Sequence, residues 1–333
     1  MQGSVLTDAM CVRHPGMQTD KASVHYPIAA AASLYTIFDM FSLRDIASSG
    51  LTVTLSPMQV VVGVGLLGIA LVSNAKSVLF AWHGRLFLQL ARHFFLRRPQ
   101  LTIRSAQHGG EALFAPVVTA SYTPLLDIDY NLHKSNSTFF SDLDDNRTEL
   151  LIALFKDVVT PQPSGKATVP AKMFHLGGTS CIFKKSIAPF SQFEISSRIL
   201  CWDQKWIYVV SHFTKPGSNN RAHLILGPWT KQQQGPVSDQ SECIYATAMT
   251  KYVFKQGRKT CTPESVMQEC GVLPRQDATK GSDGWKSGVD SHWSWEQVQE
   301  ECNKHLEVAQ NFGSLDQLHD TFLGRSGPAM YHY

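Results

Sequence analysis

The chain has 333 residues, more than one average domain requires, and its 43% hydrophobic and 17% charged residues suit a globular core with an accessory segment. The formal net charge of +3 is too small to indicate a nucleic-acid-binding protein, and no stripe of Lys and Arg interleaved with aromatic residues follows residue 110. We therefore expect one catalytic domain with appendages and no nucleic-acid partner.

The amino-terminal part of the chain predicts a membrane anchor. Residues 1–50 contain a short apolar patch, PIAAAASLYTIF, which is too short to cross a membrane and carries no catalytic signal. The next stretch has no charged residue or histidine between Asp45 and Lys76 and contains MQVVVGVGLLGIALVS. Its length and composition predict a transmembrane helix within residues 51–98. A buried core helix is the alternative, because glycines dilute the run.

The apolar run is followed by basic residues, with no acid before Glu111: Lys76, Arg85, Arg92, Arg97, Arg98 and Arg104. Since Lys and Arg are retained on the cytoplasmic side of a spanning helix, we expect a single-pass membrane protein whose catalytic domain faces the cytosol. The stretch SVLFAWHGRLFLQLARHFFLRR places polar residues on one helical stripe. Such a helix either lies along an anionic membrane surface or packs on the domain.

A polar, glycine-containing linker leads into the folded domain, which we expect to occupy residues 99–275. Deletion of residues 1–98 should then release a soluble catalytic domain. The domain opens with LFAPVVTASYTPLLDI, whose β-branched and aromatic residues predict a strand.

A long helix is predicted from Ser137 to Val158. Its apolar residues recur at three- and four-residue intervals and form one face, interrupted once by Arg147, that consists of Phe140, Leu143, Leu150, Leu151, Leu154 and Val158. Asn136 or Ser137 can cap the helix start. The aspartates of the first turns, among them Asp142, complement the helix dipole.

Several strands follow the helix. The segments MFHLGGTSCIFKKSI, FEISSRILCW and KWIYVVSHFT read as strands, and ECIYATAMTKYVFK adds another after a polar insertion. One long helix against a run of antiparallel strands is an α+β fold. Beyond the domain, residues 276–333 are expected to form a linker and a helical tail around WSWEQVQEECNKHLEVAQNF.

The segment DIDYNLHKSN, between the first predicted strand and the helix, carries the candidate chemistry. Asp129, Asn131 and His133 alternate along it, so in an extended segment all three point to one side and line one pocket. The adjacent helix start offers backbone N–H groups for a developing oxyanion. This set suits acyl transfer, with Asp129 as general base on water or as nucleophile and with His133 and Asn131 orienting water and carbonyl.

The run DIDYNLHKSNSTFF resembles the D-x-D-x-x-x-H-x-N-N-x-x-Y motif of hotdog-fold thioesterases, and in particular the D-L-D-x-N-x-H-V-N-N form of plant acyl-carrier-protein thioesterases. A wider stretch, including SRILCWDQKWIYVVSHF, resembles the thioesterase superfamily member 6 group and its fungal relatives found with polyketide pathways. The resemblance implies a hotdog fold, in which an antiparallel sheet wraps a long central helix, and a homodimer with pockets at the subunit interface. It implies catalytic roles for Asp129, Asn131 and His133, and we assign substrate binding to Asn136 and Ser137.

Three positions depart from the family motif. Ser135 stands where the first Asn is usual, Lys134 replaces an apolar residue, and Phe140 replaces the usual Tyr. These departures concern the positioning of substrate more than the acid–base pair.

The leading prediction is hydrolysis of an acyl or polyketide thioester on coenzyme A or an acyl carrier protein, in secondary-metabolite biosynthesis, with a polyketide synthase carrier domain as a further partner. We expect no cofactor and no metal, because the seven cysteines form no CxxC pair and no Cys/His ligand spacing. The alternative is a non-catalytic, membrane-attached acyl-binding or scaffold protein of hotdog fold. A hotdog dehydratase ranks third, since the chain has no H-x-x-x-P-x-x-P-G segment.

Overall fold

The structure is a computed structural model that describes residues 56–95, 103–160, 162–164, 167–219, 240–274 and 293–322. The chain divides into two units, Met1–Val64 and Gly65–Tyr333. The boundary falls inside the first helix, and the second unit carries the sheet, the remaining helices and the candidate site.

The helices and the strands of the chain are, in order, α1 (Pro57–Ser73), α2 (Ala81–Phe94), α3 (Ser105–His108), β1 (Val117–Tyr122), α4 (Thr138–Val159), β2 (Gln162–Ser164), β3 (Ala167–Val169), β4 (Met173–Phe183), β5 (Gln192–Trp202), β6 (Trp206–Thr214), β7 (Ile244–Gln256), β8 (Lys259–Cys261), α5 (Pro263–Glu269) and α6 (Trp295–Gly313). Short 3-10 helices lie at Gly110–Phe114, Leu125–Asp127, Gln240–Cys243 and Ser314–Thr321.

In the described part of residues 51–98, the predicted transmembrane helix is not found. Helix α1 is apolar but has 17 residues. A helix of that length is only about 26 Å long, which is shorter than the roughly 30 Å thickness of a bilayer's hydrocarbon core. It ends at Ser73, and the side chain of Asn74 donates a hydrogen bond to the carbonyl of Ala70 at 2.8 Å. In the part of the chain that the structure describes, no helix is both long and apolar enough to cross a membrane, so the predicted single-pass topology is not supported.

Helix α2 packs on α4 through its polar stripe. Of the two alternatives for this helix, packing on the domain or lying along a membrane surface, the structure shows the first. Arg85 Nε donates to Asp145 Oδ2 at 2.6 Å, and Gln89 donates to the backbone carbonyl of Asp145 at 3.1 Å. One turn further, His93 Nε2 lies 2.5 Å from Glu149 Oε2. The polar stripe of α2 therefore binds the polar side of α4.

The main sheet is antiparallel in the order β1-β5-β6-β7-β4, with β8 paired to β7, and β2 and β3 form a separate pair. Long helix α4 lies against this sheet and contacts β1 and β5. This is the α+β hotdog arrangement that the sequence predicts, without the membrane helix.

Helix α4 buries the predicted apolar face with one exchange. Leu150, Leu151 and Leu154 are buried, as expected, whereas Phe140 is 37% exposed and its neighbour Phe139 is buried. The reason is the aromatic neighbourhood of Phe139, whose ring centre lies 5.1 Å from that of Phe183 and 4.7 Å from that of Phe213, both on the sheet.

The interruption of that face, Arg147, is itself buried at 1% exposure. Its guanidinium donates to Thr179 and Thr250 on the sheet and to Asp144 one turn earlier on α4. A buried charge is tolerated when it is paired and hydrogen-bonded, and this arrangement meets both conditions.

The carboxy-terminal helix α6 begins with a capping box, in which Ser294 and Gln297 satisfy each other's backbone N–H groups. It packs on β5, where the thiol of Cys302 donates to the carbonyl of Trp202 at 3.6 Å. The helical tail expected beyond residue 276 is thus attached to the sheet.

Candidate active site

The segment from Ile128 to Lys134 is a tight loop, so the extended conformation expected for it is wrong. Ile128 and Lys134 form an antiparallel bridge across its base. The N–H of Asp129 donates to the His133 carbonyl at 3.0 Å, and the N–H of Leu132 donates to the Asp129 carbonyl at 3.0 Å. Leu132 adopts φ 59°, a left-handed conformation that lets the chain reverse. The loop closure brings Asp129 and His133 together.

The side chains of Asp129 and His133 form a carboxylate–imidazole pair. Asp129 Oδ1 lies 3.6 Å from His133 Nδ1, and the same nitrogen lies 3.2 Å from the carbonyl oxygen of Lys134. Since both neighbours of Nδ1 are hydrogen-bond acceptors, we assign the imidazole proton to Nδ1, which leaves Nε2 as an acceptor. The carboxylate is fixed in turn, because Asp129 Oδ1 accepts the backbone N–H of Asn131 at 2.9 Å.

A cleft of about 240 Å³ lies beside this pair. It is lined by His133, Lys134, Asn136, Phe139, Phe183, Lys184, Lys185 and Ser186. Of the five residues predicted for the site, His133 and Asn136 line the cleft, while Asp129 contacts His133 and is not a lining residue. In the described residues, no group of three or more His, Cys, Asp or Glu side chains is arranged to hold a metal ion.

The remaining predicted residues lie at the surface. Asn131 is exposed and contributes its backbone N–H to the Asp129 carboxylate. Ser137 is the residue before α4, but it makes no capping hydrogen bond through its side chain. Its backbone is already helical, at φ −65° and ψ −33°, whereas a capping residue has an extended backbone. The hydroxyl instead lies 3.0 Å from that of Ser135. The prediction that Ser137 caps the helix through its side chain is therefore wrong.

Sequence reasoning missed a buried group of four charged side chains beneath the loop, which we call the charge cluster: Lys76, Asp127, Lys134 and Asp142. The Nζ of Lys76 lies 2.7 Å from Asp142 Oδ1 and 3.4 Å from Asp127 Oδ2. Lys134 Nζ lies 3.1 Å from Asp127 Oδ2 and 2.9 Å from Asp142 Oδ2. No side chain of the cluster is more than 9% exposed.

Burial and pairing oppose each other in the charge cluster. Burial lowers the pKa of the Lys76 ammonium below its usual range, against the attraction of Asp142. For the Asp127 carboxyl, burial acts to raise the pKa, but Lys134, the Ser77 hydroxyl and Lys76 together hold the pKa below its usual value. Asp127 is therefore ionised at neutral pH.

Part of the charge cluster had a signal in the sequence. Lys134 occupies an apolar position of the family motif, and an internal lysine requires an acid beside it. Asp127 lies in the same motif and is that acid. Lys76 is far away in the sequence, and nothing in its surroundings marks it as a partner of the loop.

The chain is similar to proteins with thioesterase names. Residues 123–269 match the model of the thioesterase-like superfamily. The chain is 39% identical over 269 residues to "Probable thioesterase atnL" of Emericella nidulans, covering 74% of this chain and 84% of that protein. It is 36% identical over 268 residues to thioesterase poxG of Penicillium oxalicum, covering 76% of this chain and 84% of that protein. A Saccharomyces cerevisiae protein that also bears a thioesterase name is 29% identical over 222 residues, covering 65% and 83%.

Proposed function

Since the chain belongs to the thioesterase-like superfamily and is a thioester hydrolase, we propose that hydrolysis takes place in the cleft beside His133. We assign catalysis to Asp129, Asn131 and His133, and substrate binding to Asn136 and Ser137. The observation that carries this assignment is the 3.6 Å contact between the Asp129 carboxylate and the imidazole that lines the cleft.

In the proposed reaction, the Asp129–His133 pair removes a proton from water. The water oxygen bonds to the thioester carbonyl carbon, the C–S bond breaks, and the proton passes to the leaving sulfur, so that a carboxylic acid and a thiol form. Asp129 holds the imidazole and stabilises its charged form. The side chain of Asp129 is 21% exposed but does not line the cleft. Direct action of this carboxylate on water or on the carbonyl therefore requires the substrate to reach past His133.

The carbonyl oxygen of the substrate is assigned to the start of α4. Asn136 and Phe139 both line the cleft. The N–H of Thr138 already donates to the Ser135 carbonyl at 3.0 Å, and that of Phe140 donates to the Ser137 carbonyl at 3.3 Å. The other backbone N–H groups of a first helical turn have no partners within the helix, and they would stabilise negative charge that develops on an acyl oxygen. Asn131 orients the carbonyl in this scheme, which requires its exposed side chain to turn toward the substrate.

The cleft favours a thioester whose carrier bears a phosphate. Phe183, which is 38% exposed, supplies an apolar surface for an acyl chain beside the buried Phe139, and Lys184 and Lys185 follow on the chain at the same cleft. Coenzyme A and the phosphopantetheine arm of a carrier protein both combine a thioester with phosphate, which lysines bind as point charges. We place the activity in fungal secondary-metabolite biosynthesis, with an acyl or polyketide chain as substrate. The sequence resemblance and the fungal relatives support this placement.

We further propose that two copies of the chain pair through β4. Within the described residues, β4 is an outer strand of the main sheet, paired with β7 on one side. Met173, Leu176, Ile182 and Phe183 of this strand are exposed apolar residues. An exposed apolar edge strand is suited to pairing with another chain. Phe183 also lines the cleft, so a second copy at this edge would add a wall to it.

The catalytic assignment is tested by Asp129→Asn, which keeps size and polarity and removes the carboxylate charge. We expect turnover to fall on the order of 10² to 10⁴-fold with folding intact, because the imidazole loses the carboxylate that holds it and stabilises its charged form when it takes the proton from water. Thiol release from a series of acyl-CoA thioesters measures this. His133→Ala should also reduce turnover.

Glu300→Gln is the control for this experiment, since Glu300 is a carboxylate with a 73% exposed side chain on α6. It should hydrolyse the thioesters at the wild-type rate. If Asp129→Asn matches Glu300→Gln on the best substrate, Asp129 takes no part in activating water and the assignment is wrong.

A further inference from the structure

The charge cluster has a balanced composition and a complete set of partners. Two ammonium groups face two carboxylates, so the buried net charge is zero when all four groups are ionised. Ser77 Oγ donates to Asp127 Oδ1 at 2.5 Å, and Lys134 Nζ donates to Thr138 Oγ1 at 2.9 Å. Lys76 Nζ donates to the carbonyl of Tyr122 at 2.9 Å. When every charged group of a buried cluster has hydrogen-bond and ion-pair partners, as here, the cluster holds the chain segments that carry it in one arrangement.

Aromatic rings enclose the two ammonium groups. Lys76 Nζ lies 5.3 Å from the centre of the Phe193 ring, and Lys134 Nζ lies 5.4 Å from the centre of the same ring. Lys134 also lies 5.3 Å from the ring of Phe139, which lines the cleft. These contacts place the charge cluster directly beneath the candidate active site, in a setting with little water.

Both ends of the catalytic loop are held by this cluster. Asp127 immediately precedes the loop, Lys134 closes it, and the two side chains are joined by an ion pair. The N–H of Ser135 donates to the carbonyl of Asp127 at 2.7 Å, which repeats the connection through the backbone. Asp129 and His133 lie between these anchor points, so their separation depends on the anchors.

The segment Asn74–Ser77 contacts the same anchors from outside the family-matched region. Lys76 bridges Asp127 to Asp142 of α4, and Ser77 binds the second carboxylate oxygen of Asp127. Asn74 Oδ1 accepts the N–H of Leu126, just before the loop, at 2.9 Å. Three residues, Asn74, Lys76 and Ser77, thus tie this segment to the start of the loop.

We infer that Lys76 and Ser77 are positioning residues for thioester hydrolysis: they hold Asp127, and through it the loop that sets the Asp129–His133 geometry. This inference rests on the proposed function, since it concerns the same catalytic pair. Neither residue lines the cleft. A loss of positioning should therefore act on turnover more than on substrate binding.

The test compares Lys76→Met, Lys76→Arg and Glu149→Gln in the full chain, with an acyl-CoA thioester as probe. Lys76→Met should lower kcat about 100-fold, the size of effect produced by a displacement of about 1 Å in a catalytic group. KM should change much less, and Lys76→Arg should recover part of kcat because it restores the positive charge. Glu149→Gln removes a contact between α2 and α4, away from the loop, and should keep wild-type kcat.

Ser77→Ala provides a second route, because it removes a hydrogen bond to Asp127 without leaving a buried charge unpaired. It should lower kcat by a smaller factor at unchanged KM, and it decides the matter if Lys76→Met fails to fold. Wild-type kcat in a folded Lys76→Met chain, or in Ser77→Ala when the Lys76 variant does not fold, overturns the inference.

Asp129→Asn is measured in the same series to separate two kinds of failure. If Asp129→Asn is inactive while the Lys76 and Ser77 variants keep wild-type kcat, the positioning inference is wrong and the proposed site stands. If Asp129→Asn itself keeps full activity, the proposed site is wrong, and the loop is not what these residues position.

Discussion

Gly177 lies in β4 where the backbone passes against the indole of Trp206. The pairing register with β7 shifts between Leu176 and Gly178, which is a β-bulge. A Cβ added at Gly177 would lie 2.6 Å from Cη2 of Trp206 and still closer to Cζ3. The glycine is required by this close approach.

We predict that Gly177→Ala lowers the free energy of unfolding by about 1 to 3 kcal/mol, the usual cost of overpacking, because the indole of Trp206 must move to admit the methyl group. Gly178→Ala is the matched control, because its added Cβ would meet Lys251 Cε at 3.4 Å, at the edge of ordinary contact with a flexible side chain. It should change stability by less than about 0.5 kcal/mol. Urea unfolding of both variants measures the difference, and equal midpoints would contradict the prediction.

The burial and the ion pairs of Asp142 could not be predicted from its neighbours in the sequence. Its place in the first turns of a helix predicts a solvent-facing acid that complements the helix dipole, yet it is 2% exposed and paired with two lysines. One of these, Lys76, comes from a segment far from it in the sequence. Asp142→Asn therefore leaves an unbalanced buried charge and is unsuitable as a neutral control for Asp129→Asn.

Helix α4 is the element that the sequence predicts best. The expected range, Ser137 to Val158, differs from the observed Thr138–Val159 by one residue at each end, because apolar periodicity and the turn residues before it are local signals. Which of two adjacent phenylalanines is buried is decided by the rings of the sheet, and this information is absent from the helix itself. The strands after α4 were likewise predictable from β-branched and aromatic runs.

The boundary of the folded domain was less predictable. A polar stretch after residue 98 indicates a linker, but α2 and the segment before it make their contacts to α4 and to the catalytic loop. These contacts are long-range and polar, so neither hydropathy nor turn composition reveals them. The chain from residue 99 onward lacks a member of the charge cluster.

We predict that deletion of residues 1–98 destabilises the protein by roughly 3 to 5 kcal/mol, the cost of leaving a buried charge without its partner. Without Lys76, the carboxylates of Asp127 and Asp142 share only Lys134. The control is deletion of residues 1–64, which keeps every member of the cluster. Urea unfolding or expression in soluble form compares the two chains, and equal stability would show that the cluster tolerates the loss.

At the scale of the whole molecule, the open edge of the sheet bears on function. Strand β4 ends at Phe183, and Phe183 and the following lysines line the cleft. A partner strand along β4 would therefore complete the sheet and approach the substrate at the same time. The family resemblance implies this dimer, and the apolar exposure of the strand is the structural reason to expect it.

We predict that the double replacement Leu176→Lys and Ile182→Lys converts a dimer into a monomer. Both side chains are exposed on β4, at 54% and 71%, and charged residues on an edge strand oppose pairing between chains. Sedimentation velocity at micromolar concentration should show the wild-type chain as a dimer and the variant as a monomer. Leu315→Lys, which changes an exposed leucine in the carboxy-terminal 3-10 helix, should remain a dimer.

Because the partner is proposed to form a wall of the cleft, the monomeric variant should also lose turnover, while its circular dichroism spectrum should show that it keeps its fold. A monomeric wild-type chain with full activity would refute the proposed dimer, and a monomeric variant with wild-type turnover would show that the cleft needs no second copy.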